Sequence, residues 1–215
     1  LTDAFLYLQS YPFECSEQVA SRILSVAALR DVLKAFDAKD MPTDAEIAAK
    51  MKADIARLEK LQHADGGFNF WTNSGESVPF VTVHVAHALE RARLKGYDVP
   101  PPMLARVRGY LRFIETKIPY LYNDDSRSAI VAYAQYVRAL GRDQDVGAVR
   151  KALKTKRIQD FTTLTLGWFL NVLASSNSTA DVAAIKKELL NRVSETTATA
   201  TFADEIYDGD YVILD

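Results

Sequence analysis

The stretch Ser16–Phe36, SEQVASRILSVAALRDVLKAF, predicts a long amphipathic helix. Its apolar side chains recur at steps of three and four residues, at Val19, Ile23, Val26, Leu29, Leu33 and Phe36. This spacing places them on one face of a helix, and such an apolar face is buried from solvent against a neighbouring element. The fold is therefore expected to be built around a helix that is buried along one side.

The same periodicity continues along the chain and predicts about nine helices, joined mostly by short loops. The predicted segments are 1–10, 16–36, 43–61, 80–94, 100–114, 125–140, 146–154, 160–174 and 180–193. Thr43 and Glu46 form a capping-box pattern at the start of the third helix. Adjacent antiparallel helix pairs either stack into a solenoid or close into a ring, and periodicity alone does not distinguish the two.

The C-terminal tail has a different pattern. Thr196–Phe202 and Tyr211–Leu214 are rich in β-branched and aromatic residues, with Asp208-Gly209 between them. Two such runs around an Asp-Gly turn are typical of a β-hairpin. We therefore expect an all-α protein with one short β-hairpin near its C-terminus.

Charge and hydropathy narrow the classes of partner. Of the 215 residues, 26 are basic and 28 acidic, and no long run of one sign occurs. Neither nucleic acid nor an anionic membrane is therefore an expected partner. No apolar run approaches the ~18 residues of a membrane span, so direct membrane insertion is not expected. Because the chain opens on Leu1 within a predicted helix, we expect residues 1–215 to be one incomplete domain of a larger multidomain protein.

The single cysteine, Cys15, lies at the predicted start of the second helix, three residues before Gln18. A lone cysteine forms no internal disulfide and is most often a small buried apolar residue. Here, however, residues i and i+3 are neighbours on a helix, so the thiol and the carboxamide can meet. The helix N-terminus favours the thiolate. Attack of this thiolate on the Gln18 carboxamide carbon would release ammonia and leave a thioester.

The segment Tyr11–Gln18, YPFECSEQ, resembles the thioester signature of the α2-macroglobulin and complement family, in which a proline precedes Cys-x-Glu-Gln. The segment Leu61–Phe68, LQHADGGF, is similar to the Gln-x-x-Asp-Gly-Gly-Phe segment of the same family. Residues 81–89 and the acidic helix start at Asp124 resemble later helices of that family. The resemblance covers roughly residues 1–140. It implies the thioester-containing domain of a bacterial macroglobulin, an α/α toroid of antiparallel helix pairs.

Within this resemblance, Cys15 and Gln18 are the two bonded residues, and Glu17 belongs to the signature. An acidic residue in the first helical turn is also stabilised by the helix dipole, whatever its function. Tyr11 and Phe13 flank the bond and are candidates to shield it from water.

Three further sets of residues are candidates for shielding the bond, forming a turn and binding a metal. Tyr120 and Tyr122 are additional shielding candidates. Glycines permit a tight turn with positive φ, so Asp65, Gly66, Gly67 and Phe68 are predicted to form a structural turn with Phe68 directed inward. His84 and His87 have an i, i+3 spacing that can share a metal, but a third ligand is not evident. We expect no metal and no cofactor.

The resemblance implies a single-use covalent trap, part of a broad-spectrum protease inhibitor in bacterial defence, and not an enzyme. In the family, cleavage of a bait region elsewhere in the protein frees the thioester, and a lysine amine of the attacking protease takes the acyl group. The segment 117–124 lacks the histidine that the family uses for transfer to hydroxyls, so an amine acceptor is implied. The implied partners are attacking proteases and other domains of the parent protein. The implied location is periplasmic, cell-surface or extracellular.

Two alternatives remain open from the sequence. One is an enzyme of the α/α-toroid class, of the terpenoid cyclase or prenyltransferase type. That function needs an Asp-rich motif or an Asp/Cys/His zinc set, and Asp124-Asp125 alone is too little. The other is a non-reactive docking domain whose thioester never forms or is lost.

Overall fold

The computed structural model describes residues 2–36, 41–176 and 178–202. These residues form ten α-helices, one short 3₁₀ helix and a two-stranded hairpin. The α-helices are α1 (Thr2–Ser10), α2 (Ser16–Ala35), α3 (Asp44–Leu61), α4 (Pro79–Leu94), α5 (Pro101–Arg112), α6 (Ile114–Lys117), α7 (Asp124–Leu140), α8 (Val146–Ala152), α9 (Thr163–Ala174) and α10 (Thr179–Arg192). The 3₁₀ helix is Ile158–Asp160, and the strands are β1 (Val193–Glu195) and β2 (Ala200–Phe202). The predicted all-α class with a short hairpin is confirmed.

The helices belong to two compact units that divide between Arg112 and Phe113. The first unit contains α1 to α5, and the second contains α6 to α10 and the hairpin. The predicted helix 100–114 is two helices at this division, because the backbone of Phe113 leaves the helical angles, with φ −112° and ψ 21°, between α5 and α6. The assignment of residues 1–215 to a single domain stays a prediction.

In the first unit, α2 packs against α1, α3 and α4. The side chains of the predicted apolar stripe are buried at Val19, Ile23, Val26 and Leu33. Phe36 is the exception, with 81% of its surface exposed. The prediction is wrong there because α2 ends at Ala35, so Phe36 is the C-terminal cap and leaves the buried face.

The start of α3 shows the capping box that the sequence predicts. The Glu46 backbone N–H donates to Thr43 Oγ1 at 3.2 Å, and the Thr43 backbone N–H donates to Glu46 Oε2 at 2.8 Å. These two bonds satisfy backbone donors that have no partner within a helix.

The loop between α3 and α4 begins with a tight turn around Gly66, which has φ of +89°. Asp65 Oδ1 accepts hydrogen bonds from the Gly67 N–H at 3.0 Å and from Ser77 Oγ at 2.8 Å. Phe68 is completely buried, and its N–H donates to Thr82 Oγ1 of α4 at 2.9 Å. The turn therefore ties the loop to the first unit's core.

Replacing Gly66 with alanine is expected to destabilise the protein by more than about 1 kcal/mol. A Cβ at this position would lie 2.3 Å from the Arg106 carbonyl oxygen, and the positive φ adds backbone strain. Gly96 is the matched control, because its φ of +83° is similar but a Cβ there meets nothing within 4 Å. Urea unfolding should show a larger loss of unfolding free energy for Gly66→Ala than for Gly96→Ala. Equal losses would mean that the contact with Arg106 relaxes at no cost.

In the second unit, α9 packs against α7, α8 and α10. The buried residues of this core are Ala132, Val149, Phe161, Leu166, Phe169, Val172, Leu173 and Ile185. The Tyr133 and Trp168 rings stack with their centroids 4.3 Å apart, which links α7 to α9. This unit therefore has an apolar core of its own.

The hairpin pairs β1 with β2 in antiparallel register, with Ser194 opposite Thr201. The predicted strand Thr196–Phe202 is thus shortened, and its partner here is the segment directly after α10. The predicted strand Tyr211–Leu214 and the Asp208-Gly209 turn lie outside the described residues. Within the part of the chain that the structure describes, no helix is both long and apolar enough to cross a bilayer.

Candidate thioester site

The structure brings Cys15 and Gln18 together at the N-terminus of α2. Cys15 is the N-cap residue, with extended backbone angles of φ −71° and ψ 162°. The Cys15 N–H donates to Gln18 Oε1 at 3.4 Å, while the Gln18 backbone N–H faces the Cys15 side chain. This is a capping box in which a thiol replaces the usual hydroxyl. The thiol and the carboxamide that the proposed chemistry requires are therefore neighbours.

Burial determines the protonation of the thiol. Only 3% of the Cys15 surface is exposed, and this loss of solvation is the main reason that its pKa is raised. The backbone N–H of Gln18 lowers the pKa, as expected at a helix N-terminus, and the negative charge of Glu17 raises it further. The backbone N–H groups of the helix N-terminus do favour the thiolate, as the sequence predicts. Burial raises the pKa by more than these groups lower it, so the protonated thiol is favoured overall. A protonated thiol is a weak nucleophile, so its attack on Gln18 needs a proton acceptor.

Backbone hydrogen bonds fix the chain on both sides of Cys15. The Ser16 N–H donates to the Phe70 carbonyl oxygen at 2.7 Å, which joins the start of α2 to the loop that follows α3. On the other side, Arg57 Nε of α3 donates to the Glu14 carbonyl oxygen at 2.9 Å. The position of Cys15 is therefore set by two separate elements.

A buried ion pair joins α2 and α3 below this site. Arg22 and Asp54 are 1% and 2% exposed, and Arg22 Nε and Nη2 each donate to Asp54 at 2.7 Å. The hydrogen bonds to Asp54 are the main reason that the Arg22 pKa is raised, although burial opposes them. The Glu14 carboxylate lies 3.3 Å from Arg57 and 3.9 Å from Arg22. This pair is not predicted from the sequence, although Arg22 and Asp54 both interrupt predicted apolar faces.

A second polar group connects α2 to α4. Ser21 Oγ donates to Glu17 Oε1 at 2.8 Å and lies 2.9 Å from His84 Nε2. The distance from His84 Nε2 to Glu17 Oε1 is 3.8 Å. Burial lowers the pKa of His84, and the Glu17 charge opposes that effect in part. Sequence reasoning missed Ser21, although its i+4 spacing from Glu17 is a signal for such a contact.

His87 lies one turn further along α4, and its pKa is strongly lowered. Burial and then the charges of Arg91 and His84 lower it from 6.5 to about 3. Arg91 Nε donates to His87 Nε2 at 3.3 Å, so the neutral ring is the acceptor. Among the described residues, no three His, Cys, Asp or Glu side chains form a group that could hold a metal.

His87→Gln is expected to weaken the acid dependence of stability. A folded-state pKa of about 3 against an ordinary 6.5 means that the unfolded state takes up the proton first. The stabilisation is complete above pH 6.5 and is lost as the pH falls toward 3. Between pH 6.5 and about pH 5, the wild type should lose at most about 1.5 kcal/mol more than the variant in urea unfolding. Parallel stability curves would contradict this assignment.

The shielding candidates lie in different parts of the chain. The Tyr11 ring is half-buried, with its centroid 5.4 Å from that of Tyr7 and 5.5 Å from that of Phe13. Phe13 is 55% exposed. Tyr120, which is 88% exposed, and Tyr122, which is half-buried, belong to the second unit. The shielding role of all four stays a prediction.

Comparison with known proteins shows the family of this chain, although no family model matches it. The alpha-2-macroglobulin of Escherichia coli strain K12 is 32% identical over 151 residues, which are 67% of this chain. Over most of its length, the chain belongs to the bacterial alpha-2-macroglobulin family. The matched region is 9% of the E. coli alpha-2-macroglobulin, so the chain spans a small part of this curated relative.

Solved alpha-2-macroglobulin structures share the fold. Native E. coli alpha-2-macroglobulin, from domain MG7 to the C-terminus, superposes with a TM-score of 0.73 and 25% identity. The match covers 86% of this chain and 30% of that one. Trypsin-activated E. coli alpha-2-macroglobulin gives a TM-score of 0.70 and 26% identity, over 82% of this chain and 13% of that one. This agreement supports the helix-pair architecture predicted from the sequence.

Proposed function

We propose that Cys15 and Gln18 form an internal thioester, with which this chain captures an attacking protease covalently. The capping box that links Cys15 and Gln18 at the start of α2 is the observation that carries the proposal, because it holds the thiol and the carboxamide within one helical turn. Membership of the bacterial alpha-2-macroglobulin family supports the protease as the target. The near-complete burial of Cys15 fits a bond that must be protected from water until it is used.

The chemistry follows from the two neighbouring groups. The Cys15 sulfur attacks the Gln18 carboxamide carbon, a C–S bond forms, and the amide nitrogen leaves as ammonia with the thiol proton. A lysine amine later attacks the same carbon, a C–N bond forms, and the C–S bond breaks. The amine gives up one proton and the Cys15 thiol regains one. Since the amide product does not re-form the thioester, the chain acts once and is not an enzyme.

The proposed partners follow from the family. One of the matched E. coli structures is trypsin-activated, which supports proteases as targets of this chain. Other domains of a longer parent protein are the second class of partner, because the chain matches only 9% of its E. coli relative. A role against attacking proteases also implies an extracytoplasmic site of action, in the periplasm or at the cell surface.

The two alternatives have less support. The toroid-enzyme alternative requires a metal or Asp-rich centre, and the family relationship is to alpha-2-macroglobulins. The non-reactive docking domain would need no contact between Cys15 and Gln18, whereas the two residues share a capping box. The capture experiment separates both alternatives from the trap.

Covalent capture can be tested with trypsin whose active-site serine has been blocked, so that it keeps its lysines but cannot digest the chain. We expect an adduct that survives detergent and reducing agent and contains one new Cys15 thiol. Trypsin with dimethylated lysines is the matched control, since its tertiary amines cannot form amides. Adducts of equal yield with both forms of trypsin would contradict the proposal, and so would a failure to capture trypsin by a chain that takes up methylamine in a parallel sample.

A further inference from the structure

Glu17 lies in the first turn of α2, between Cys15 and Gln18 in sequence, and its carboxylate is linked to α4 through Ser21. The negative charge of Glu17 raises the pKa of the Cys15 thiol. Ser21 Oγ donates to Glu17 Oε1 at 2.8 Å, and His84 of α4 contacts the same hydroxyl at 2.9 Å. The three side chains therefore form a hydrogen-bonded row that runs from α4 to Glu17, in the helical turn that contains Gln18.

We infer that Glu17 accepts the proton of the attacking amine, and that Ser21 and His84 are positioning residues that hold its carboxylate in place. The inference rests on the proposed thioester. It assigns a chemical task to Glu17, and it brings into the reaction a histidine from α4, far along the chain from the segment 117–124.

The hydrogen-bond directions follow from the donors that are present. A serine hydroxyl has one hydrogen, and Ser21 gives it to Glu17. The 2.9 Å contact is then a hydrogen bond only if His84 carries its hydrogen on Nε2 and donates it to Ser21 Oγ. Each donation increases the polarity of the next, so His84 strengthens the hold on Glu17.

The surroundings of His84 suit this role. Its ring stacks on Phe80 with the centroids 6.0 Å apart, and its side chain is 16% exposed. The charge of Glu17 on α2 acts on it, and His84 in turn lowers the pKa of His87, one turn along its own helix. Burial lowers its pKa, so the ring is neutral near pH 7 and serves as a fixed donor.

The proton balance of the step is complete. As the amine nitrogen bonds to the Gln18 acyl carbon, the C–S bond breaks and Cys15 leaves as a thiolate. Glu17 takes the proton that the nitrogen loses and passes it to the Cys15 sulfur. The products are one amide and one thiol, and Glu17 returns to its carboxylate form.

Methylamine uptake by the full chain tests the inference. The rate constant should fall about tenfold or more in Ser21→Ala and in His84→Leu, since general acid–base catalysis commonly contributes 10²–10⁴-fold. His84→Gln should recover most of the rate, because its amide nitrogen can still donate to Ser21. Glu17→Gln should be slow and should lose the solvent deuterium isotope effect of the wild type. Before methylamine is added, each variant is checked for fold by circular dichroism and for the missing ammonia by intact mass.

The outcomes separate the two claims. Wild-type rates in Ser21→Ala and His84→Leu, with the mass deficit present, would overturn the positioning roles and leave the trap intact. A slow His84→Gln that is folded and carries the thioester would also overturn the inference, because a lost packing contact would then explain the effect. A wild-type chain with no mass deficit would remove the proposed function and this inference together.

Discussion

Methylamine labelling of the chain should disappear completely in Cys15→Ala. Without the sulfur no activated acyl group forms at Gln18, and an ordinary carboxamide does not react with amines under mild conditions. Labelling should be followed by peptide mapping, which places the wild-type label at Gln18. The substitution also removes an N-cap, at a cost of up to about 1 kcal/mol, so the fold of the variant is verified by circular dichroism.

Ser16→Ala is the matched control for this loss. Ser16 is adjacent to Cys15, and its hydroxyl is buried with no hydrogen-bond partner among the residues that the structure describes. Its backbone N–H still reaches the Phe70 carbonyl after the substitution, so the N-terminus of α2 is preserved. Ser16→Ala should therefore label like the wild type. Labelling that persists in Cys15→Ala would show that the label does not come from a thioester.

The second large effect is expected for Asp54→Leu, which should lower the free energy of unfolding by about 3–5 kcal/mol. The substitution leaves the Arg22 guanidinium buried, with Glu14 at 3.9 Å as the nearest remaining carboxylate. Arg22→Met should cost less, because Asp54 keeps Lys50 at 3.5 Å. Urea unfolding of both single variants measures the difference.

The double variant Arg22→Met/Asp54→Leu completes the thermodynamic cycle. Replacing both partners by apolar side chains removes the uncompensated charge, so most of the lost stability should return. A double variant as unstable as the sum of the two single variants would contradict the account. In that case the packing of the two side chains, and not their pairing, would stabilise this part of the unit.

The sequence predicted the helices and their buried faces because both depend on local spacing. The stripe on α2 and the capping box of α3 involve residues within a few turns of each other. The end of α2 was predicted one residue late, since a helical period does not show where the helix stops. Phe36 is therefore predicted to lie on the buried face of α2, whereas in the structure it follows the last helical residue and is exposed.

Contacts between helices account for what the sequence could not predict. The position of Cys15 at the start of a helix can be predicted from the sequence. The burial that raises the pKa of its thiol arises only when the helices of the first unit pack together. Ser21 and His84 are separated by 63 residues, and Arg22 and Asp54 by 32. A pattern of single residues does not predict which of them will meet.

The intact mass of the freshly purified chain shows whether Cys15 and Gln18 are joined by a thioester. We expect a mass below that of the sequence by one ammonia molecule, and no free thiol at Cys15. Methylamine should then add its own mass at Gln18 and release the thiol. Peptide mapping distinguishes a hydrolysed thioester, which leaves a glutamate in place of Gln18, from a side chain that never reacted. The full sequence mass, with an unchanged Gln18 and a free thiol in fresh protein, would show that the thioester does not form.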